Sequence, residues 1–439
     1  MNAVTATPIR AAASLDSAAI RITGGRSLNG RIRVQGSKNI ALHLYAAALL
    51  ADGPVTLDNT PDILDTGVCA RILQHTGAEV HAGKGQFTLT PGHAVRPVVH
   101  RELGGRVRTT AVLAAAVLAR AGQVTFPRPG GDAFCPRLID RHLAAMQAAG
   151  AEVICGKTGI RAACGPRGVR AFTTDAGTPY GPSLGATVSA MLLAARAPGT
   201  SLITHPSIEP EVTETARFLA ARGAGIGWDR QGLHVTGSDE ITGGSFTVAA
   251  DRIEAATLVM AAAVTGGSVY LDAITPAEFP AGLRQALASA GIALTGTAGG
   301  VRAAAGGPLA ALETVTGPHP GLPTDTAPQL AAMLTQARGT SLIRERVYPR
   351  RDTHVPALRG FGADISAAGP VIRVRGPVRL HAAQAQAGDI RAVTALLIAA
   401  LAAQGTSTIR GMYHLRRGYG QLLASLATLG ADITTQTEA

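Results

Sequence analysis

The feature that most restricts how this 439-residue chain can fold is an internal repeat. Six times the chain shows an Ala-rich apolar segment of helical length, a Gly, a short β-branched stretch, a polar loop, a second helical segment and a Gly-led strand. The apolar segments read NIALHLYAAALLADG, RTTAVLAAAVLARAG, GATVSAMLLAARAPG, DRIEAATLVMAAAVTGG, DTAPQLAAMLTQARG and DIRAVTALLIAALAAQG. They end at Gly53, Gly122, Gly199, Gly267, Gly339 and Gly405, where glycine suits the left-handed position that closes a helix. The later strands begin at Gly77, Gly150, Gly223, Gly291, Gly362 and Gly430. Units of about 70 residues are too large for a solenoid, so they predict α/β subunits grouped three and three into two globular domains.

The first helix of each unit is apolar nearly all round, which predicts burial inside its domain. A buried helix with an open N-terminus is an anion site, because free N–H groups and the positive end of the dipole point outward. The six openings are Lys38 and Asn39; Arg108; Ser183 to Gly185; Asp251 and Arg252; Thr324 and Asp325; and Asp389 with Arg391. Ser, Thr and Asp are ordinary N-caps, and capping accounts for Thr324 and Asp389. It does not account for Lys38, Arg108 or Arg391 at the positive end of a dipole, so these point to a site for anions.

Composition narrows the partners. The longest apolar runs, such as Ala392 to Ala403, fall short of the roughly 18 residues a membrane span needs. Residues 1–19 contain one Arg and no apolar block of signal-peptide length, and read as a flexible tail. Cys69, Cys135, Cys155 and Cys164 show neither CxxC spacing nor a His-rich partner segment. That predicts no metal site, no disulfide framework and a cytoplasmic setting. The net charge of +11 comes from 37 Arg and only three Lys. With 3% aromatic residues the chain lacks the stacking platforms of a single-strand binder. Small polyanions such as phosphates fit better than nucleic acid.

The repeat, opened by Gly36-Ser37-Lys38-Asn39, resembles the enolpyruvyl transferases, and the resemblance runs from about Ile20 to Ile433. Pro129-Gly130-Gly131, Arg137 with Asp140 and His142, Glu209-Pro210-Glu211 and Asp251-Arg252-Ile253-Glu254 are family-like. So are Pro318-His319-Pro320, Pro323-Thr324-Asp325, Asp389-Ile390-Arg391 and Arg417-Gly418-Tyr419. Asn39 after the lysine favours the branch acting on UDP-N-acetylglucosamine, at the start of peptidoglycan synthesis, over the branch acting on shikimate 3-phosphate. The resemblance implies a two-domain inside-out α/β barrel, with helices inside and sheets facing solvent. One domain would hold 20–37 plus 251–439, the other 38–250 with a mobile loop around 128–137. The substrates would meet in the cleft between them.

The implied reaction is addition of a substrate hydroxyl to C2 of phosphoenolpyruvate with protonation of C3, then loss of phosphate from the ketal. It requires an acid, a base and cations for phosphate and carboxylate. Lys38 suits the phosphate, being a compact ammonium at a helix opening. By resemblance Arg137 and Arg417 also hold that phosphate, while Arg351 and Arg391 face the donor carboxylate. Arg350-Arg351 also reads as a solvated pair. Asp325 would lie near the acceptor hydroxyl as base or orienting group, unless it is only a cap. Asn39, Arg108, Asp140, Ser183, Leu184 and Gly185 match positions that hold the acceptor, with Thr324 and Val347 also among the substrate contacts. Glu209, Asp251, Arg252 and Asp389 would support their neighbours, and His142 and His319 are equally compatible with structural roles. No cofactor is implied, and the protein is expected to be a monomer.

Departures from the family pattern sharpen two expectations. Most members carry Cys in the mobile loop after the Gly-Gly pair; Asp132 stands there. It would serve as the acid if bound anions kept it protonated, or be a plain turn residue, with Cys135 a poorer substitute. Fosfomycin alkylates a thiol, so resistance to it follows. Ahead of Ser183-Leu184-Gly185, where the family often places a lysine against the diphosphate, stand Gly181 and Pro182. Arg141 and Arg416 are unusual too. The acceptor is therefore expected to be UDP-N-acetylglucosamine, with a different uridine nucleotide such as uridine monophosphate, used in making nucleoside antibiotics, as the alternative.

Overall fold

The structure, a computed structural model, describes residues 18–132 and 138–437. The chain divides into two compact units. Of the described residues, the first unit holds 36–131 and 138–249, and the second holds 18–35, 132 and 250–437.

Six buried helices organise the units. Three are in the first: α1 (Lys38–Ala48), α2 (Thr110–Ala121) and α3 (Leu184–Ala194). Three are in the second: α4 (Arg252–Val264), α5 (Ala327–Leu334) and α6 (Ile390–Ala402). Every residue of α4 from Arg252 to Ala263, and of α6 from Ile390 to Leu401, is buried. This is what an apolar circumference demands, and the many Ala let helices approach closely, as α2 does α3 and α5 does α6. Fully buried leucines such as Leu113 and Leu396 contribute about 1.5–3 kcal/mol each.

Among the described residues, four of the four-stranded sheets share one plan. A strand runs parallel to the next one across a helical crossover, and a hairpin then extends the sheet antiparallel. Thr173–Asp175 pairs in parallel with Thr200–Thr204 across α3, and Leu233–Thr236 and Gly225–Trp228 follow antiparallel. In two sheets the parallel strand comes from far along the sequence. Val55–Asp58, after α1, pairs with Gly244–Thr247. Ser268–Asp272, after α4, pairs with Asn29–Arg33. Each unit thus completes a sheet with a strand from a distant part of the chain. In the second unit Ala18–Thr23 lies between Thr406–Arg410 and Asp432–Thr437, antiparallel to both. Ala18 and Ala19 are therefore sheet residues rather than the end of a flexible tail, Ala18 facing Thr437 and Ala19 lying between Arg410 and Gln436; the rest of the expected tail, residues 1–17, lies outside the described residues.

The glycine expectation needs correction. Of the six glycines after the buried helices, only Gly122 is itself a left-handed C-cap, and Gly53 and Gly267 do not have positive φ. α1 ends instead by tightening: Leu49, Leu50 and Ala51 donate to the carbonyls three residues back. The regular positions are those after the second helices, Gly77, Gly150, Gly223, Gly291, Gly362 and Gly430, all with φ between 85° and 107°.

At the far ends of α1, α2 and α3, one carboxylate joins three repeats. Asp52 lies 2.5 Å from Arg120 and 2.7 Å from Arg196, and accepts the Ile241 N–H at 2.9 Å. Burial pushes its pKa up, but the bonds from Arg196, Ile241 and Arg120 outweigh that and bring it to about 2. Among the described residues no helix is long and apolar enough to cross a membrane.

Candidate functional site

Lys38 is the first residue of α1, after the N-cap Ser37, whose hydroxyl accepts the Ile40 N–H. Its ammonium is buried and lies 2.8 Å from Asp65 Oδ2, in the first turn of the helix Leu64–His75. A buried cation needs such a counter-charge. Nothing in the sequence around Asp65 announced that role, because the pairing joins helices distant in sequence. Asn39 is half-buried beside it.

Of the other acceptor candidates in the first unit, Arg108 and Asp140 are exposed at helix openings. Asp140 has Arg141 at 3.9 Å. Ser183 is the N-cap of α3, its hydroxyl accepting the Ala186 N–H. Leu184 and Gly185 form the first turn of α3 and are half-buried. His142 is buried against them, with Nδ1 2.8 Å from Ser189 Oγ. A Cβ on Gly185 would stand 2.9 Å from His142 Cε1, so glycine is what admits the ring. Burial, then the Arg108 charge, pulls the His142 imidazole down to about 3. Burial likewise brings His43, on α1, to about 4, with Glu211 opposing it. Both rings are therefore neutral at ordinary pH. Glu209 is the N-cap residue of the helix Pro210–Ala220.

In the second unit the sequence candidates converge. Asp325 sits in the turn Thr324–Thr326 that leads into α5. Its Oδ1 lies 2.7 Å from Arg351 and its Oδ2 accepts from Arg391 at 2.6 Å. Both guanidiniums are buried, their side chains 4% and 8% exposed, while the carboxylate is 22% exposed. Arg350 is exposed, so the two neighbouring arginines are not a solvated pair: Arg351 turns inward to the carboxylate. Arg391 also donates to the Tyr419 hydroxyl at 2.6 Å. Burial alone would lower its pKa, but the Asp325 and Tyr419 charges hold it well above the ordinary arginine range.

Thr324 does not cap α5, contrary to the sequence expectation. Pro323 precedes the turn, and the Thr324 hydroxyl donates to Glu345 at 2.8 Å while accepting from Arg351 at 3.0 Å. The Val347 N–H is likewise taken by Glu345, at 2.8 Å. That N–H is held within its own loop. The sequence signals no role for Glu345 or Tyr419, since Thr316 and Thr324 reach the one, and Arg391 the other, from other elements.

Asp389 caps α6, accepting the N–H groups of Arg391 and Ala392, and takes the Thr353 hydroxyl as well. Burial raises its pKa, but those bonds and Arg351 leave it below the usual range. Asp251 caps α4 by accepting from Ile253 and Glu254, and Arg252 is buried beside it. Burial, then the Asp251 charge, pushes Glu254 up to about 8. The Asp132 carboxylate pairs with Arg417, on the helix Met412–Gly418, with His414 Nδ1 at 3.9 Å. Asp132 is therefore more than a turn residue. Arg416 turns away and donates to the Gly420 carbonyl. Arg137 and Cys135 lie outside the described residues. Among the described residues no group of three or more His, Cys, Asp or Glu side chains is placed to hold a metal ion.

The family model for EPSP synthase (3-phosphoshikimate 1-carboxyvinyltransferase) matches residues 22–426. Two relatives named for UDP-N-acetylglucosamine 1-carboxyvinyltransferase activity are similar over nearly the whole chain. That of Chlorobium limicola is 37% identical over 94% of this chain and 97% of its own length. The one numbered 3 in Symbiobacterium thermophilum is 39% identical over 95% and 98%. Among solved structures, the enolpyruvyl transferase NikO from Streptomyces tendae superposes with a TM-score of 0.85 at 27% identity, covering 96% of this chain and 99% of that one. EPSP synthase from Acinetobacter baumannii gives a TM-score of 0.76 at 19% identity, covering 95% and 100%, a likeness of fold.

Proposed function

Because the chain belongs to the EPSP synthase family of enolpyruvyl transferases, we propose that it moves the 1-carboxyvinyl group of phosphoenolpyruvate onto the 3-hydroxyl of UDP-N-acetylglucosamine. The observation that carries the acceptor is the 37–39% identity to relatives named for that activity. The buried Asp325–Arg351–Arg391 cluster supports the donor half, since planar guanidinium forks match a carboxylate and an adjoining carboxylate can face a hydroxyl.

The acceptor oxygen bonds to C2 of phosphoenolpyruvate while C3 gains a proton, giving a tetrahedral ketal. The bond from C2 to the phosphate oxygen then breaks, C3 gives the proton back, and the double bond returns. In this reading Asp325 orients the hydroxyl and takes its proton, and Asp132 lends and recovers the proton at C3. Lys38, Arg137 and Arg417 carry the phosphate, and Arg351 and Arg391 the donor carboxylate. Asn39, Arg108, Asp140 and Ser183 to Gly185 hold the acceptor. The reading makes the protein a cytoplasmic, monomeric enzyme of peptidoglycan synthesis that needs no metal or organic cofactor.

One observation favours a second acceptor. Gly181, in the position where the family often has lysine, has φ of 108°, a conformation that resists a side chain. A backbone that favours glycine there suits an acceptor without a diphosphate, such as uridine monophosphate. The test is phosphate release from phosphoenolpyruvate with each nucleotide supplied separately. Release with UDP-N-acetylglucosamine supports the first reading; release only with uridine monophosphate replaces it with the second. Release with neither refutes both.

A further inference from the structure

Glu345 is a buried carboxylate, 3% exposed, at the end of the strand Gly339–Arg344. Its Oε1 accepts from the Thr316 hydroxyl at 2.6 Å and from the Val347 and Tyr348 N–H groups at 2.8 and 2.9 Å. Its Oε2 accepts the hydroxyl of Thr324 at 2.8 Å. Two routes lead from it to Arg351. Through Thr324, the hydroxyl's only proton is committed to Glu345, so its lone pair is left for the Arg351 guanidinium at 3.0 Å. Through the turn, the Tyr348 carbonyl accepts the Arg351 N–H at 2.9 Å, and the Tyr348 ring lies 5.6 Å from the guanidinium carbon. Arg351 is thus aimed at Asp325 from its own backbone and from its side-chain neighbour, and both supports converge on one carboxylate.

We propose that Glu345 is a positioning residue for donor binding, which aims the Arg351 guanidinium through the Thr324 hydroxyl and the Val347–Tyr348 turn. The inference rests on the proposed role of Arg351 towards the phosphoenolpyruvate carboxylate. Glu345→Gln keeps the volume but reverses one bond. Two backbone N–H groups still require the amide oxygen, so the amide NH2 faces Thr324, whose hydroxyl then meets two donors. Thr324→Val removes the same relay without touching Glu345.

The experiment is phosphoenolpyruvate binding and steady-state kinetics of the wild type, Glu345→Gln, Thr324→Val and the double variant, with thermal unfolding of each. The expected result is a phosphoenolpyruvate Kd and KM raised about tenfold, which corresponds to roughly 1.4 kcal/mol. The acceptor KM should stay within about twofold, and the double variant should be no worse than the worse single one. Folded variants with wild-type donor affinity overturn the proposal, as does strict additivity of the two changes. If Glu345→Gln fails to fold, Thr324→Val alone decides by the same readout. A wild type that binds phosphoenolpyruvate but turns over neither nucleotide refutes the proposed reaction, while the binding affinities still decide this point. A wild type that does not bind it overturns both.

Discussion

Replacing Asp325 by Asn tests the centre of the second unit most directly. The carboxylate is held 2.7 Å from Arg351 and 2.6 Å from Arg391, whose side chains are 4% and 8% exposed. An amide of the same shape keeps one acceptor and turns its NH2 towards the other guanidinium, leaving two buried positive charges without the negative one between them. Removing one partner of a buried ion pair costs about 3–5 kcal/mol. Asp325 is 22% exposed, and water admitted there screens part of the loss, so the lower end, about 3 kcal/mol, is expected. The measurement is urea unfolding at neutral pH, with Asp272→Asn as the control. Asp272 pairs at 2.7 Å with Arg31, whose side chain is 65% exposed, and water screens so exposed a pair that it adds little to stability. Asp325→Asn should lose the larger amount and with it phosphoenolpyruvate-dependent phosphate release. A variant within about 0.5 kcal/mol of wild type would refute the view that buried charge pairing holds this cluster together.

Glu254 gives a pH dependence. Its folded pKa is raised from 4.5 to about 8, so between those values the folded chain holds a proton that the unfolded chain has lost. The stability it contributes is full below pH 4.5 and disappears as pH rises through 8, with a slope approaching about 1.4 kcal/mol per pH unit. Glu254→Gln should flatten unfolding midpoints across that window; an unchanged profile counts against the buried protonated form. Gly185→Ala places a Cβ 2.9 Å from His142 Cε1 and should cost about 1–3 kcal/mol in thermal or urea unfolding. Pairing it with His142→Ala should recover part of that loss, and full tolerance of the single change would show that the ring yields freely. If Asp132 takes the place of the loop thiol that the resemblance implies, fosfomycin should leave phosphate release unchanged and the protein's mass unmodified. Rapid inactivation with an adduct mapped to Cys135 would give the acid's place to that residue instead.

The sequence by itself determined the repeat, the burial of the six helices and which polar residues stand at their openings. These are periodic or local properties: an apolar circumference such as Ala392–Leu401 has no way to face water, and Asp251, Ser183 and Asp389 cap the helix that begins beside them. What the tertiary structure alone decided are pairings between elements distant along the chain. Asp65 beneath Lys38, Asp325 between Arg351 and Arg391, and Glu345 behind Thr324 have no local signature. The same reason explains Gly244–Thr247 beside Val55–Asp58, and Asn29–Arg33 beside Ser268–Asp272. Periodicity reports which face of an element is buried, but a buried charge is matched only by what the rest of the fold brings to meet it.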